Sequence, residues 1–133
     1  MDRMSENTQL TTASLLSLLL FSLHVADDIV RGFEPGDLSN IGALPIFLVW
    51  LYATLMLAER RVGYIIILLA SLMGSAVPVL HMMGNGIGLH GRIGGTSGAL
   101  FFVWTLLALG TTALFSVILS ARGLWSLRRG RAG

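Results

Sequence analysis

The chain contains neither cysteine nor lysine, and each absence removes a class of chemistry. Without cysteine there is no disulfide, no thiolate metal site, no all-cysteine iron–sulfur cluster and no covalent c-type haem attachment. Without lysine there is no retinal-type Schiff base. Charge is also scarce, 12% of 133 residues, and no Asp, Glu or His falls near the middle of an apolar run. That disfavours a proton-coupled carrier built on a midplane carboxylate, and places any ionisable site near the end of a span.

What fills the chain instead is apolar residue, 54% of the total, a composition that belongs to membrane proteins. It comes in four runs, Leu10–Val30, Ile41–Ala58, Val62–Met83 and Ser97–Leu119, each close to the ~20 residues a helix needs to cross a hydrocarbon core. Stretches such as Ile65–Ala70 and Ala113–Leu119 are apolar nearly all round, which suits lipid better than water. The expectation is an all-α integral membrane protein, residues 1–133 forming one four-helix transmembrane bundle.

All nine basic residues are arginine. Arg3, Arg60, Arg61, Arg122, Arg128, Arg129 and Arg131 fall on one side of the four runs, and Arg31 and Arg92 on the other. The positive-inside rule then puts both termini in the cytoplasm of a cell bounded by a bacterial-type inner or plasma membrane. The first run is read as a retained helix, because acidic Asp2 and Glu6 flank Arg3 and a cut after Ala26 would leave bulky His24 at the −3 position of a signal peptide. The basic tail around Trp125 suits the headgroup level of a bilayer; it is too short for nucleic-acid binding.

Two motifs fail on context. Gly86-Ile87-Gly88-Leu89-His90-Gly91 has dinucleotide-type glycine spacing, but it joins two spans instead of a strand and a helix. Asp27-Asp28-Ile29-Val30-Arg31 begins like an aspartate-rich prenyl-transfer motif, but its fifth residue is Arg and no second acidic cluster follows.

Periodicity carries more. Ser14, Ser17, Phe21, His24 and Asp28 recur at steps of three and four along one stripe of the first run, and Ser71, Gly74, Pro78, His81 and Asn85 do the same on the third. Small and polar stripes in membrane helices prefer the bundle interior, so these two should face each other or a shared cavity, with His24 and His81 at similar depth. Ala108, Thr112, Ser116 and Ser120 form a further close-packing stripe, either inside the bundle or against a second subunit.

Asp27 and Asp28 lie near the C-terminal end of their helix, where the helix dipole disfavours negative charge, so a compensating cation is expected. Arg31, at i+4 and i+3, could supply it. The candidate metal ligands are His24, Asp27, Asp28 and His81, a mixture of imidazole and carboxylate that suits Zn²⁺, Mn²⁺ or Fe²⁺. His90 and Arg92, in the glycine-rich segment Gly84–Gly95, could serve as a lid or accessory groups. Two readings stand beside the metal: a b-type haem held by His24 and His81, and a purely structural polar plug in a non-catalytic subunit of a larger membrane complex or homo-oligomer. The sequence names no reaction or substrate and leaves open whether the site is catalytic.

Overall fold

A computed structural model describes residues 3–83, 93 and 95–130, and all regular structure among them is helical. Helix α1 spans Arg3–Val30, α2 Leu44–Met56, α3 Arg61–Met83 and α4 Ala99–Arg129, with a short 3₁₀ helix, Leu38–Ala43, leading into α2. At 1.5 Å per residue α1, α3 and α4 are about 42, 35 and 46 Å long, more than the ~30 Å hydrocarbon core. These three are long and apolar enough to cross a membrane.

Two boundaries differ from the sequence expectation. Helix α2 has 13 residues, about 20 Å, because the first part of the expected run is wound as the 3₁₀ helix. Pro45 sits in the first turn of α2, where its missing N–H would lack a helical partner anyway. Asp37 starts the 3₁₀ segment, its carboxylate accepting from the Ser39 backbone N–H at 2.8 Å and from the Ser39 hydroxyl. Those bonds hold the Asp37 carboxyl below the ordinary carboxylate range. Helix α4, in turn, runs ten residues past Leu119, so the basic tail is helical as far as Arg129.

Helix α4 packs along both α1 and α3, and α2 fits against the same two helices. The outward faces carry Leu19, Leu48, Leu69, Leu72, Trp104 and Leu114, all substantially exposed, a surface that lipid would cover and water would not. Inside, the stripes of α1 and α3 are mostly buried, with Ser14, Ser17 and Ser71 at 0% exposure. The α4 stripe lies within the bundle: Ser116 and Ser120 are buried, and Thr112 accepts a hydrogen bond from Ser17 at 3.1 Å. At Gly110 a Cβ would lie 2.8 Å from Pro78 Cγ, so α3 and α4 approach closely because glycine faces the ring.

A closed hydrogen-bond circuit fixes α2 against α1. Trp50 Nε1 donates to Ser14 Oγ at 2.8 Å, Ser14 and Thr54 hydroxyls meet at 2.7 Å, and Thr54 returns its proton to the Trp50 carbonyl at 2.9 Å. Because Thr54 spends its proton on that carbonyl, Ser14 is the donor to Thr54, and the indole N–H and both hydroxyls are all used. At the opposite end from the histidines, Arg122 of α4 pairs with Glu6 of α1 at 2.7 Å.

Candidate metal centre

The C-terminal end of α1 is closed by its own backbone. Gly32, at φ 73°, lets its N–H reach the Ile29 carbonyl at 3.0 Å while the Phe33 N–H reaches the Asp28 carbonyl at 2.8 Å. This is the Schellman pattern, which uses carbonyls that would otherwise be left free and needs a left-handed residue. It holds Asp28 in the last regular turn, one helical step of four below which lies His24.

His24, Asp28 and His81 converge there. His24 Nε2 and His81 Nε2 lie 3.3 and 3.6 Å from the same carboxylate oxygen, Asp28 Oδ2, and a ligand atom from each of the three residues falls within 4.8 Å of the others. The imidazoles meet edge to face with centroids 4.7 Å apart. Phe102 of α4 lies against both, at 5.5 Å from His24 and 6.0 Å from His81, so the cluster is walled by an apolar ring. His24 is only 2% exposed and Asp28 6%.

The hydrogen bonds define which atoms are free. His81 Nδ1 lies 2.9 Å from the Val77 carbonyl. A carbonyl only accepts, so Nδ1 carries the proton, and in the neutral ring Nε2 presents a lone pair toward Asp28. Two lone pairs at 3.6 Å repel unless a proton or a cation lies between them. A ring N–H anchored on a carbonyl with the opposite nitrogen free is also how metal-bound histidines are oriented. Both ring nitrogens of His24 and Oδ1 of Asp28 are buried without a hydrogen-bond partner among the described residues. Buried polar atoms usually find a partner in protein, water or a bound ion, and these belong to a group of ligand atoms that could hold a metal ion.

Of the residues expected at this site, Asp27 takes a different role. Its Oδ2 accepts from Arg31 Nε at 2.7 Å, and Arg31 reaches on to Thr96 Oγ1 at 3.1 Å and the Ser97 carbonyl at 3.4 Å, with its guanidinium 5.6 Å from the Phe102 centroid. Arg31 therefore joins the end of α1 to the start of α4 and neutralises Asp27, while Asp28 is served by the two histidines. His90 and Arg92 lie outside the described residues, as does Asn85. Ile93 is fully buried and packs with Phe102 and Leu106, so the segment before α4 touches the wall of the cluster at that point.

Sequence reasoning missed Phe102 and the Val77 carbonyl. Phe102 belongs to the regular buried face of α4 with Leu106, Leu109 and Ala113, so its pattern reads as core, and a backbone carbonyl leaves no signature in composition. The haem alternative fits poorly: the imidazoles are in edge contact with a carboxylate against both, and a macrocycle between them would have to displace Phe102 or Asp28. Two imidazoles and one carboxylate suit a single small divalent ion, leaving at least one coordination position open. No known protein family, curated protein or solved structure matches the chain.

Proposed function

We propose that this protein binds one divalent metal ion, Zn²⁺, Mn²⁺ or Fe²⁺, at the extracytoplasmic end of a four-span membrane bundle whose termini are cytoplasmic. The observation that carries the reading is the convergence of the buried His24 and Asp28 with His81 within ligand distance of one another, His81 being anchored through Nδ1 on the Val77 carbonyl. The 3₁₀ helix adds roughly 12 Å to α2 at ~2 Å per residue, which brings the second segment to about the ~30 Å of a hydrocarbon core. The orientation rests on the arginine asymmetry of the sequence, Arg3, Arg60, Arg61, Arg122, Arg128, Arg129 and Arg131 on one side of the runs against Arg31 and Arg92 on the other.

In this arrangement His24, Asp28 and His81 supply three ligands and the open position takes water or a partner's donor. Elemental analysis by mass spectrometry of untagged protein, purified in detergent without chelator, should find about one metal per chain, and His81→Ala should lose it. Wild-type protein that neither carries metal nor takes up Zn²⁺, Mn²⁺ or Fe²⁺ in equilibrium dialysis would reduce the cluster to a polar plug that fixes helix packing.

A further inference from the structure

At the opposite end of the molecule α4 carries three described arginines that are not equivalent. Arg122 is paired with Glu6 at 2.7 Å, whereas Arg128 and Arg129 meet no carboxylate among the described residues. Both line a groove of about 560 Å³ between α3 and α4, together with Leu68, Ala121, Leu124 and Trp125. The groove is graded. Leu68, Ala121 and Leu124 form its apolar part, and beyond them lie the Trp125 ring, with the Arg129 guanidinium 4.9 Å over its centroid, and Arg128.

A helix C-terminus attracts cations through its dipole, which accounts for arginine at this end but not for the apolar trough running from the same side chains. A soluble anion would use the charges and leave the trough empty. An acyl chain alone would use the trough and leave the charges unmatched. We propose that this groove binds an anionic phospholipid, its phosphate on Arg128 and Arg129, its upper acyl chain along Leu124, Ala121 and Leu68, and Trp125 at the boundary between them. Guanidinium pairs with phosphate through parallel N–H donors, and aromatic rings favour the headgroup level. A zwitterionic lipid offers the same phosphate but carries an ammonium group that the two arginines repel.

Native mass spectrometry of the full chain in detergent, titrated with phosphatidylglycerol or phosphatidylcholine of identical acyl chains, tests this. Each arginine near an anionic headgroup contributes a factor of about 5, so phosphatidylglycerol should bind about 30-fold more tightly. Arg128→Gln with Arg129→Gln should bring the two lipids to near equality, Arg128→Lys with Arg129→Lys should keep most of the preference, and Arg122→Gln should leave it unchanged. Equal binding of both lipids by the wild type, or a preference that survives the double glutamine change, would overturn the assignment. Metal content is untouched by these variants, so the outcome is independent of the centre at the other end.

Discussion

Replacing His24 with leucine separates a metal site from a structural ion pair. Without metal, His24 Nδ1 is buried with no hydrogen-bond partner among the described residues and Nε2 faces Asp28 Oδ2 at 3.3 Å without hydrogen-bond geometry, and each buried polar atom left unsatisfied costs about 1–3 kcal/mol. Leucine removes both, while an imperfect fit against Phe102 and His81 costs less than about 1.5 kcal/mol if the volume is roughly kept. The metal-free variant should therefore be as stable as the wild type, or about 2 kcal/mol more so. Metal should reverse the order: at a hundredfold excess over Kd, Zn²⁺ stabilises the wild type by about 2.7 kcal/mol, on the order of 10 °C for a chain of this size, and leaves the variant unmoved. If His24 were instead an imidazolium holding Asp28 in place, its loss would strand a buried carboxylate and cost about 3–5 kcal/mol. Thermal unfolding in detergent, followed by tryptophan fluorescence with chelator and with Zn²⁺, gives both numbers. A metal-free variant destabilised by 3 kcal/mol or more, or an equal shift with Zn²⁺ in both proteins, would refute the reasoning.

The neighbouring aspartates should behave oppositely: Asp28→Asn abolishes metal uptake in equilibrium dialysis, whereas Asp27→Asn leaves it within a few-fold and only loosens the contact of Arg31 with the start of α4. The reverse result would transfer the ligand role to Asp27. Ser14→Ala breaks the Trp50–Ser14–Thr54 circuit and leaves the buried indole N–H unpaired, at a cost of about 1–3 kcal/mol. Adding Trp50→Phe should recover part of that loss, and strict additivity of the two changes in unfolding experiments would disprove the coupling. Asp37 has a carboxyl held below its ordinary value by Ser39, so its contribution is complete above the unfolded carboxylate pKa and disappears as pH falls through the lowered folded one. Carbon-detected NMR titration should show Ser39→Ala moving that carboxyl back up; an unchanged titration would remove the cap from the account.

Much of the fold is legible in the apolar runs, because a segment that must bury its backbone in lipid has few alternatives to a helix. The limits of the elements are less so. Hydropathy reports where lipid could be, and so ends the fourth run at Leu119. The helix continues to Arg129 because nothing in Ser120–Arg129 breaks it, and Gly123 packs against Tyr64. The second run fails in the other direction. It is apolar throughout, but Gly42 and Pro45 interrupt regular α geometry near its start, and composition does not separate a 3₁₀ turn from an α turn of the same residues.

The site divides along the same line. His24, Asp28 and His81 are legible because they continue small, polar stripes at helical spacing, and the described residues of those stripes are mostly buried. The choice between Asp27 and Asp28 is not, since both lie within one turn of His24 and both are in register with Arg31. The structure separates them through the roughly 100° between successive residues on a helix. Asp28, four residues from His24, stays on the stripe and meets both histidines. Asp27 rotates toward Arg31, whose other contacts, Thr96 and Ser97, are more than sixty residues away. The local pattern offers Arg31 to either aspartate, and the contacts of Arg31 with Thr96 and Ser97, which that pattern does not encode, accompany its pairing with Asp27. One arginine thereby ties the helix end to the segment before α4 and leaves Asp28, among the described residues, facing only the two histidines, the condition under which a divalent cation would have something to bind.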